Sequence, residues 1–218
     1  MILLGIVGTP ASGKSTVATR LQSKGASWIN ADLIARDVLT EPDVFRQLVD
    51  HFGNSIVASS GPAEIDRAAL AKLVFGDSSE KKASLNFLES IVHPITRQRI
   101  TDQIRIAASE NSLVAILDIP LLFESRWDRS CDAIWCIDAP LETRINWAST
   151  RGWNADELAR RESNQLPIAE KRRLSSQILV NDATLEDLHK LVDDLWMDVV
   201  TIGSVVSHPP DPGHCLGD

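Results

Sequence analysis

Eight residues near the start of the chain have the types and spacing of a phosphate-binding loop. They read Gly8-Thr9-Pro10-Ala11-Ser12-Gly13-Lys14-Ser15 and match the pattern G-x-x-x-x-G-K-[ST]. The two glycines let the backbone turn tightly and bring its N–H groups against phosphate oxygens. In this pattern Lys14 reaches the β- and γ-phosphates, and Ser15 supplies a hydroxyl to Mg²⁺. The run predicts a nucleotide-binding loop; the alternative is an ordinary glycine-containing turn between a strand and a helix.

A second candidate for chemistry is Asp32, which follows the short segment 27–30. Parallel α/β sheets bind their ligands beyond the carboxyl ends of the strands, and Asp32 comes just after such an end. A carboxylate there can accept the proton of an attacking hydroxyl. It can equally cap a helix that begins at Leu33, and the residue alone leaves both roles open.

A third candidate is Asp118, the carboxylate that ends the apolar segment 114–117. In proteins with a phosphate loop, an acidic residue at a strand end holds Mg²⁺ directly or through water. The alternative is an aspartate that only shapes the turn after the strand.

Basic residues are concentrated between Arg144 and Arg173, where seven Lys and Arg residues accompany four acidic ones. Arginine neutralises charge on transferring phosphoryl oxygens with donors of fixed geometry. The cluster therefore marks Arg144, Arg151, Arg160 and Arg161 as candidates to contact phosphate, although any single one can be a solvated surface residue.

These side chains need a scaffold, and the hydrophobic pattern predicts an α/β fold. Short apolar runs without polar alternation are typical of parallel strands that are buried on both faces. We expect five such strands, in the runs 2–7, 27–30, 112–119, 133–137 and 178–180. Amphipathic segments between them predict helices, so the sequence favours a five-stranded parallel sheet flanked by helices.

Capping signals predict where several of the helices begin. We expect Asp66, Asn154 and Thr184 to be N-cap residues. Asp77 is expected to open a longer helix, and Pro94 is expected to interrupt it because proline lacks a backbone N–H.

Two segments fall outside a simple alternation of strands and helices. Residues 33–110 form a long helical excursion where a crossover needs only about a dozen residues, so we expect a substrate lobe there. The segment from Ser204 to the end has three prolines, two glycines and no periodicity. It is expected to be a disordered tail.

The composition limits the partners of the protein. The 22 basic and 30 acidic residues give a net charge of −8, which argues against general binding of nucleic acid or anionic membranes. Three cysteines without zinc-ligand spacing favour reduced thiols and a cytoplasmic location. No apolar run approaches 18 residues, and the first residues lack the basic region and cleavage site of a signal peptide. Nothing in the sequence predicts an obligate protein partner.

Several strings, in order from Ile2 to about Val200, resemble the dephospho-coenzyme A kinase family. They are the phosphate loop, Asn30-Ala31-Asp32, Ile34-Ala35-Arg36, His93-Pro94, Asp118-Ile119-Pro120-Leu121-Leu122-Phe123-Glu124, and Arg161 followed by Gln165-Leu166-Pro167 with Glu170-Lys171. The string that begins at Asp118 is the most specific of these, whereas the loop alone is shared by many nucleotide-binding proteins.

The resemblance implies a P-loop kinase that uses ATP and Mg²⁺ to phosphorylate the ribose 3′-hydroxyl of dephospho-CoA, the last step of CoA synthesis. It also implies three parts of one kinase domain over residues 1–203. These are a core (1–32, 112–143 and 174–203), a CoA lobe (about 33–111) and a lid (about 144–173), with 204–218 as the tail.

By position, the resemblance assigns roles to individual residues. Asp32 falls on the general base, with Lys14, Arg144 and Arg151 as the other catalytic residues. ATP would be bound by Gly8, Ala11, Ser12, Gly13, Lys14, Ser15, Thr16 and Asn181. The acceptor would be bound by His93, Pro120, Leu121, Leu122, Phe123, Glu124, Arg161 and Gln165, and the metal by Ser15 and Asp118.

The chain departs from the family pattern at three places. Thr9-Pro10-Ala11 replaces the usual Gly-Ile-Gly of the loop, Asn30 replaces an aspartate, and Leu174-Ser175-Ser176 replaces Arg-Ala-Asp. Two other functions stay open on the residues themselves. One is a kinase for a nucleoside monophosphate or a sugar acid, and the other is a nucleotide-gated binding module without an acceptor.

Overall fold

Five parallel strands form one sheet in the order β2-β3-β1-β4-β5. The computed structural model describes residues 1–59 and 64–207. The strands are β1 (Ile2–Gly8), β2 (Ser27–Asn30), β3 (Val114–Asp118), β4 (Ala133–Asp138) and β5 (Gln177–Val180). The α/β fold class predicted from the apolar runs is confirmed.

Helices connect the strands throughout the described ranges. They are α1 (Lys14–Ser23), α2 (Ala31–Val38), α3 (Pro42–Phe52), α4 (Arg67–Val74), α5 (Ser79–Ser109), α6 (Leu141–Ser149), α7 (Ala155–Ser163), α8 (Ile168–Leu174) and α9 (Leu185–Ser207), with short 3₁₀ helices at Asn54–Ile56 and Trp127–Ser130. None of these helices is both long and apolar enough to cross a bilayer.

The central strand β1 is buried along its whole length. It pairs with β3 on one side and with β4 on the other, so both of its edges are covered. Because its apolar side chains have no solvent-facing side, the sequence shows a continuous run rather than alternation. The strand ends at Gly8, and the phosphate loop therefore starts in the middle of the sheet.

Three predicted helix caps are confirmed. The Asp66 carboxylate accepts hydrogen bonds from the N–H groups of Ala68 and Ala69, at 2.9 and 3.0 Å. The Asn154 side chain accepts from the Glu157 N–H at 2.8 Å. Thr184 exchanges hydrogen bonds with Asp187, as expected of a capping box.

Two expectations about α5 are wrong. The helix runs through Pro94 without interruption. A proline inside a helix costs about 3 kcal/mol, and packing on both sides of it offsets that cost, because Val92 and Ile95 both contact the apolar cluster that includes Leu48. The start of α5 also differs, since the Ser78 hydroxyl rather than Asp77 accepts from the Lys81 N–H.

The chain divides into two compact units. One comprises residues 1–30 with the chain from residue 104 onward, and the other is Ala31–Gln103. The core of the first unit joins β1 with α1 and α9 through residues such as Ile6, Leu21 and Val192. The second unit has its own cluster of apolar side chains from α2 to α5. This unit ends earlier than the predicted substrate lobe of residues 33–111, because the last turns of α5 belong to the unit that contains the sheet.

Helix α9 extends four residues beyond the point where the sequence predicts the tail to begin. It ends at Ser207, so residues 204–207 are helical. Residues 208–218 of the predicted tail lie outside the described residues.

Candidate active site

The phosphate loop joins the carboxyl end of β1 to the first turn of α1, and both glycine positions of the pattern require glycine. Gly13 has φ +99° and directly precedes α1. A Cβ atom on it would lie 2.4 Å from Nδ2 of Asn181. A Cβ atom on Gly8 would lie 2.1 Å from the carbonyl oxygen of Ile137. The loop is therefore enclosed by the ends of β4 and β5, and no larger residue fits.

Ala11 takes the left-handed conformation at a position where the family pattern has glycine. Its φ is +62°, a conformation that costs an L-residue about 1–2 kcal/mol. The methyl group is buried against Ala148 of α6 and Leu158 of α7. This contact offsets the strain and joins the phosphate loop to the segment predicted to be the lid.

Asn181 fixes the loop from the end of β5. Its Nδ2 donates to the Ser12 carbonyl at 3.0 Å, and its backbone N–H donates to the Asp138 carbonyl at 2.7 Å. The side chain is buried. Asn181, which the resemblance assigns to ATP binding, therefore lies beside the phosphate loop.

Two hydroxyls of the loop are buried without a hydrogen-bond partner among the described residues. They are Oγ1 of Thr9 and Oγ of Ser12, in side chains that are 2% and 1% exposed. An unsatisfied buried hydroxyl costs about 1–3 kcal/mol. Such groups are rare in native proteins. The loop therefore holds two polar groups whose burial is not offset by hydrogen bonds among the described residues.

Asp118 lies at the end of β3 opposite Asn30 of β2. Its Oδ2 accepts from Nε1 of Trp28 at 3.3 Å and from Nδ2 of Asn30 at 3.4 Å. The carboxylate is buried and held by neighbours from the adjacent strand. Trp28 was not predicted at the site, because an indole in a short apolar strand is more typical of the core.

The donor set suits a cation that is held largely by substrate. No group of three or more His, Cys, Asp or Glu side chains in the described ranges could form a metal centre by itself. Ser15 exposes its hydroxyl in the first turn of α1, and Asp118 ends the neighbouring strand. One hydroxyl and one carboxylate, completed by phosphate oxygens and water, form the kind of site in which proteins bind Mg²⁺.

Asp32 lies inside helix α2 and does not cap it. The helix begins at Ala31, so Asp32 is in its first turn and its side chain is exposed. The expectation of a helix that starts at Leu33 is therefore wrong. A carboxylate in this turn interacts favourably with the helix dipole.

Lys171 of α8 is a fully buried lysine at the loop and was not assigned a role from the sequence. Its Nζ donates to the Gly8 carbonyl at 3.2 Å and to Oε1 of Gln165 at 2.6 Å. Burial, followed by the positive charge of Lys14, lowers the pKa of Lys171 to about 8, against the opposing effect of Glu124. A lysine in an amphipathic helix is typical of a solvated surface, so its burial has no signal in the local sequence.

The arginines of α6 and α7 are held in two different ways. Arg144 is buried, and it donates to the Ala139 carbonyl and to Glu162. Arg161 is exposed, donates to Glu157, and lies over the ring of Trp153 with 4.0 Å between its Cζ and the ring centroid. Arg144 thus joins α6 to α7, whereas Arg161 presents its charge to solvent.

A cavity of about 430 Å³ opens beside the loop. It is lined by Ala11, Gly13, Thr16, Trp147, Thr150, Arg151, Asn181, Ala183, Leu185 and Leu188. Four of the predicted nucleotide-binding residues and Arg151 line it together. Trp147 and the leucines of α9 were not predicted, because their part in the cavity depends on long-range packing.

Comparison with known proteins identifies the family. The family model described as dephospho-CoA kinase matches residues 2–187. The chain belongs to the dephospho-CoA kinase family. It is therefore an ATP-dependent kinase of coenzyme A biosynthesis, as the sequence resemblance predicted.

Individual relatives are similar to the chain over most of its length. The dephospho-CoA kinase of Rhodopirellula baltica is 40% identical over 88% of each chain. That of Symbiobacterium thermophilum is 35% identical over 90% of this chain and 80% of the relative. The crystal structure of TT1252 from Thermus thermophilus superposes with a TM-score of 0.74 at 32% identity, covering 90% of this chain and 97% of that one.

The segment that carries the most specific dephospho-CoA kinase string is only partly exposed. Leu122 is fully buried and faces Gly5 of β1, whereas Leu121 is exposed. Glu124 accepts from the Leu166 N–H and thereby approaches the predicted acceptor residue Gln165. Pro120 and Phe123 are half-buried in the same segment.

His93 lies on α5 in the other compact unit, where its side chain is exposed. It therefore belongs with Asp32 in Ala31–Gln103, whereas the remaining predicted site residues lie in the unit that contains the sheet.

Proposed function

We propose that this kinase transfers the γ-phosphoryl group of ATP to the ribose 3′-hydroxyl of dephospho-CoA, with the phosphate loop and Asp118 as the site of ATP and its metal ion. The observation that carries the proposal is the enclosed phosphate loop between β1 and the first turn of α1, with the buried carboxylate of Asp118 at the end of the adjacent strand β3. The loop supplies N–H groups and the start of α1, and both favour a bound polyphosphate.

The nucleotide would extend from the loop into the cavity of about 430 Å³. Its phosphates would be bound by the loop and by Lys14, and its base and ribose by the cavity near Asn181. Thr16 and Trp147 line the same cavity, and an aromatic ring there offers a face on which a base can stack.

ATP-dependent kinases act with a divalent metal, and we infer that it is Mg²⁺ here. Ser15 and Asp118 would hold it, because their oxygen atoms are the ligands that this hard cation prefers. Such an ion would neutralise negative charge on the bound phosphates.

The general base would be Asp32. It follows β2 by two residues, its carboxylate is exposed, and it lies within the first turn of α2 rather than at the cap position. Asp32 would accept the proton of the acceptor hydroxyl as the phosphoryl group is transferred, while Lys14 and Arg151 balance the negative charge on that group.

The activity is tested by incubation with ATP, Mg²⁺ and dephospho-CoA, followed by mass analysis of the acceptor. The expected product carries one added phosphate. Parallel reactions with AMP and gluconate test the two alternative acceptor classes. Turnover with either of these but not with dephospho-CoA would contradict the proposal.

The role of Asp32 is tested by Asp32→Asn, with Asp37→Asn as a matched control on the exposed side of α2. Loss of a general base lowers kcat by about 10²–10⁴. We expect that loss in Asp32→Asn, with unchanged ADP affinity and melting temperature, and near-normal kcat in Asp37→Asn. Wild-type kcat in Asp32→Asn would show that the carboxylate is not the base.

We also propose a cytoplasmic location for the protein, which is supported by its cysteine usage. The partners that we propose are the two small-molecule substrates. The acceptor would contact the exposed residues of the string from Pro120 to Glu124, together with Arg161 and Gln165; for His93, the family resemblance alone supports an acceptor contact.

A further inference from the structure

Lys171 is the one lysine of the described residues that the fold buries completely; its side chain is 1% exposed. Burial of an ammonium group is costly unless the group is held by hydrogen bonds. Its two described acceptors belong to different parts of the molecule, the Gly8 carbonyl at the end of β1 and the Gln165 side chain between α7 and α8. A lysine that only added charge to the surface would not need such a position, so the burial indicates a role inside the molecule.

The contact with Gly8 affects the geometry of the phosphate loop. Gly8 is the first residue of the loop, and a Cβ atom there would collide with the backbone of Ile137. When an ammonium group holds a carbonyl on one side of a tight loop, the N–H groups that follow are free to face the other side. An anion bound by those N–H groups therefore depends on the orientation that Lys171 imposes.

The contact with Gln165 connects the same ammonium group to the predicted lid. Gln165 follows α7, and the neighbouring Leu166 N–H donates to Glu124. Lys171 belongs to α8, the helix that follows this segment, and is shielded from solvent there. A shift of the segment between α7 and α8 would therefore be transmitted to the Gly8 carbonyl through a single side chain.

We propose that Lys171 is a positioning residue for ATP, which fixes the Gly8 carbonyl and ties the conformation of the phosphate loop to the segment around Gln165. The inference rests on the proposed binding of ATP phosphates by this loop. Lys171 acts through the backbone of the loop, whereas Lys14 contacts the phosphates themselves.

The test compares Lys171→Met and Lys171→Arg with wild type, and Lys190→Met serves as a control for loss of a lysine on α9. Lys171→Met removes the buried charge but leaves the Gly8 carbonyl and Oε1 of Gln165 without their donor. An unsatisfied buried acceptor costs about 1–3 kcal/mol, so the kinetics are compared at a temperature where the melting curve shows the variant to be folded. Hydrogen bonds to a charged group correspond to about 10- to 100-fold in an equilibrium or rate. We expect Lys171→Met to lose that much in kcat/KM for ATP, partial rescue in Lys171→Arg, and no change in Lys190→Met.

The measurements separate positioning from a merely structural role. A structural role would lower the melting temperature and leave KM for ATP unchanged in the protein that remains folded. Wild-type kinetics in folded Lys171→Met would overturn the proposal while the wild-type enzyme still phosphorylates dephospho-CoA. An inactive wild-type enzyme would instead overturn the proposed function.

Gln165→Ala supplies a second route if Lys171→Met does not fold. This variant removes one acceptor and leaves the lysine in place. We expect it to raise KM for ATP by several-fold, and a double-mutant cycle with Lys171→Arg should be non-additive because the two residues share one contact. Unchanged KM for ATP in Gln165→Ala, or strict additivity in the cycle, would contradict the connection between lid segment and loop.

Discussion

The phosphate loop and the helices α6 to α8 hold their polar groups in opposite ways. In the loop, hydroxyls and glycines are packed against the ends of neighbouring strands, and almost nothing can be added or moved. In the helices, most arginines are exposed and pair with glutamates on their own helix, such as Arg161 with Glu157 and Arg173 with Glu170. Exposed pairs of this kind contribute little, about 0–1 kcal/mol.

This difference indicates how each region can act on a nucleotide. In the proposed site the loop would act through a backbone conformation that is already fixed by folding before ATP binds. The helices present side chains that can leave a glutamate for a phosphate at low cost. Substitutions in the loop backbone should therefore damage binding and folding together, whereas substitutions of the exposed arginines should change rates alone.

The largest expected effect is that of Lys14→Ala. Removing a charged donor from a phosphoryl-transfer site lowers kcat by at least about 10²–10³. We expect near-complete loss of turnover with an unchanged melting temperature, because Lys14 is the first residue of α1 and does not belong to the buried core. Lys24→Ala, at the other end of α1, is the control and should keep its kcat. Normal turnover in folded Lys14→Ala would show that the phosphate loop is not part of the catalytic site.

Gly13→Ala and Gly25→Ala form a matched pair that tests the enclosure of the loop. Both glycines have φ +99°, but only Gly13 has a neighbour, Nδ2 of Asn181, within reach of a new Cβ atom. The left-handed conformation alone costs about 1–2 kcal/mol, which we expect for Gly25→Ala in urea unfolding. Gly13→Ala should lose more stability and also bind ADP more weakly. Equal losses in the two variants would show that the loop has room to adjust.

The features that could be predicted from the sequence are those that depend on residues close together in the chain. The glycines, Lys14 and the caps at Asp66 and Asn154 act over a few residues, so their pattern alone indicates their structure. The same holds for β1, whose continuous apolar run follows from burial on both faces.

The features that the sequence did not predict depend on distant partners. Lys171 contacts Gly8, which is 163 positions away, and Trp28 reaches Asp118 across 90 positions. The continuous helix through Pro94 has the same origin, since apolar contacts on both sides of the proline outweigh a local preference. Local patterns contain no information about such contacts.

Arg151→Ala tests whether substitution of an exposed arginine changes the rate without changing stability. Arg151 is exposed, lines the cavity beside the phosphate loop, and has its Cζ 5.8 Å from the ring centroid of Trp153. We expect kcat to fall by roughly 10- to 100-fold, with a smaller change in KM for dephospho-CoA and no change in stability. Arg160→Ala removes a similar exposed arginine that does not line the cavity and should have little effect.

A change confined to KM for dephospho-CoA in Arg151→Ala would move this arginine to the acceptor side of the site. Fluorescence of Trp153 provides an independent measurement, because both Arg151 and Arg161 lie over its ring. Emission should change when ATP and dephospho-CoA bind together, and this change should be smaller in the variant.

The smallest expected effect is a pH dependence at Lys171, where the two regions meet. The groups that act on this ammonium are Lys14, Glu124, Cys136 and Glu162, and burial is the largest cause of its lowered pKa of about 8. In the free enzyme the group therefore loses its proton as pH rises through about 8. Bound phosphates favour the charged form, so ATP binding raises this pKa and takes up a proton above that pH.

Affinity for ATP should accordingly be independent of the protonation of Lys171 below about pH 8 and should fall above it, by at most about tenfold per pH unit. Calorimetric titration with ADP or ATP between about pH 7.5 and 9.5, in buffers of different ionisation enthalpy, measures both the affinity and the proton uptake.

The buried thiol of Cys136, whose pKa is raised to about 11, does not titrate in this range. Lys171→Arg should abolish the proton uptake, because a guanidinium group stays charged throughout. A wild-type enzyme that binds ATP equally well across the range would show that the charge of Lys171 does not contribute to holding the nucleotide.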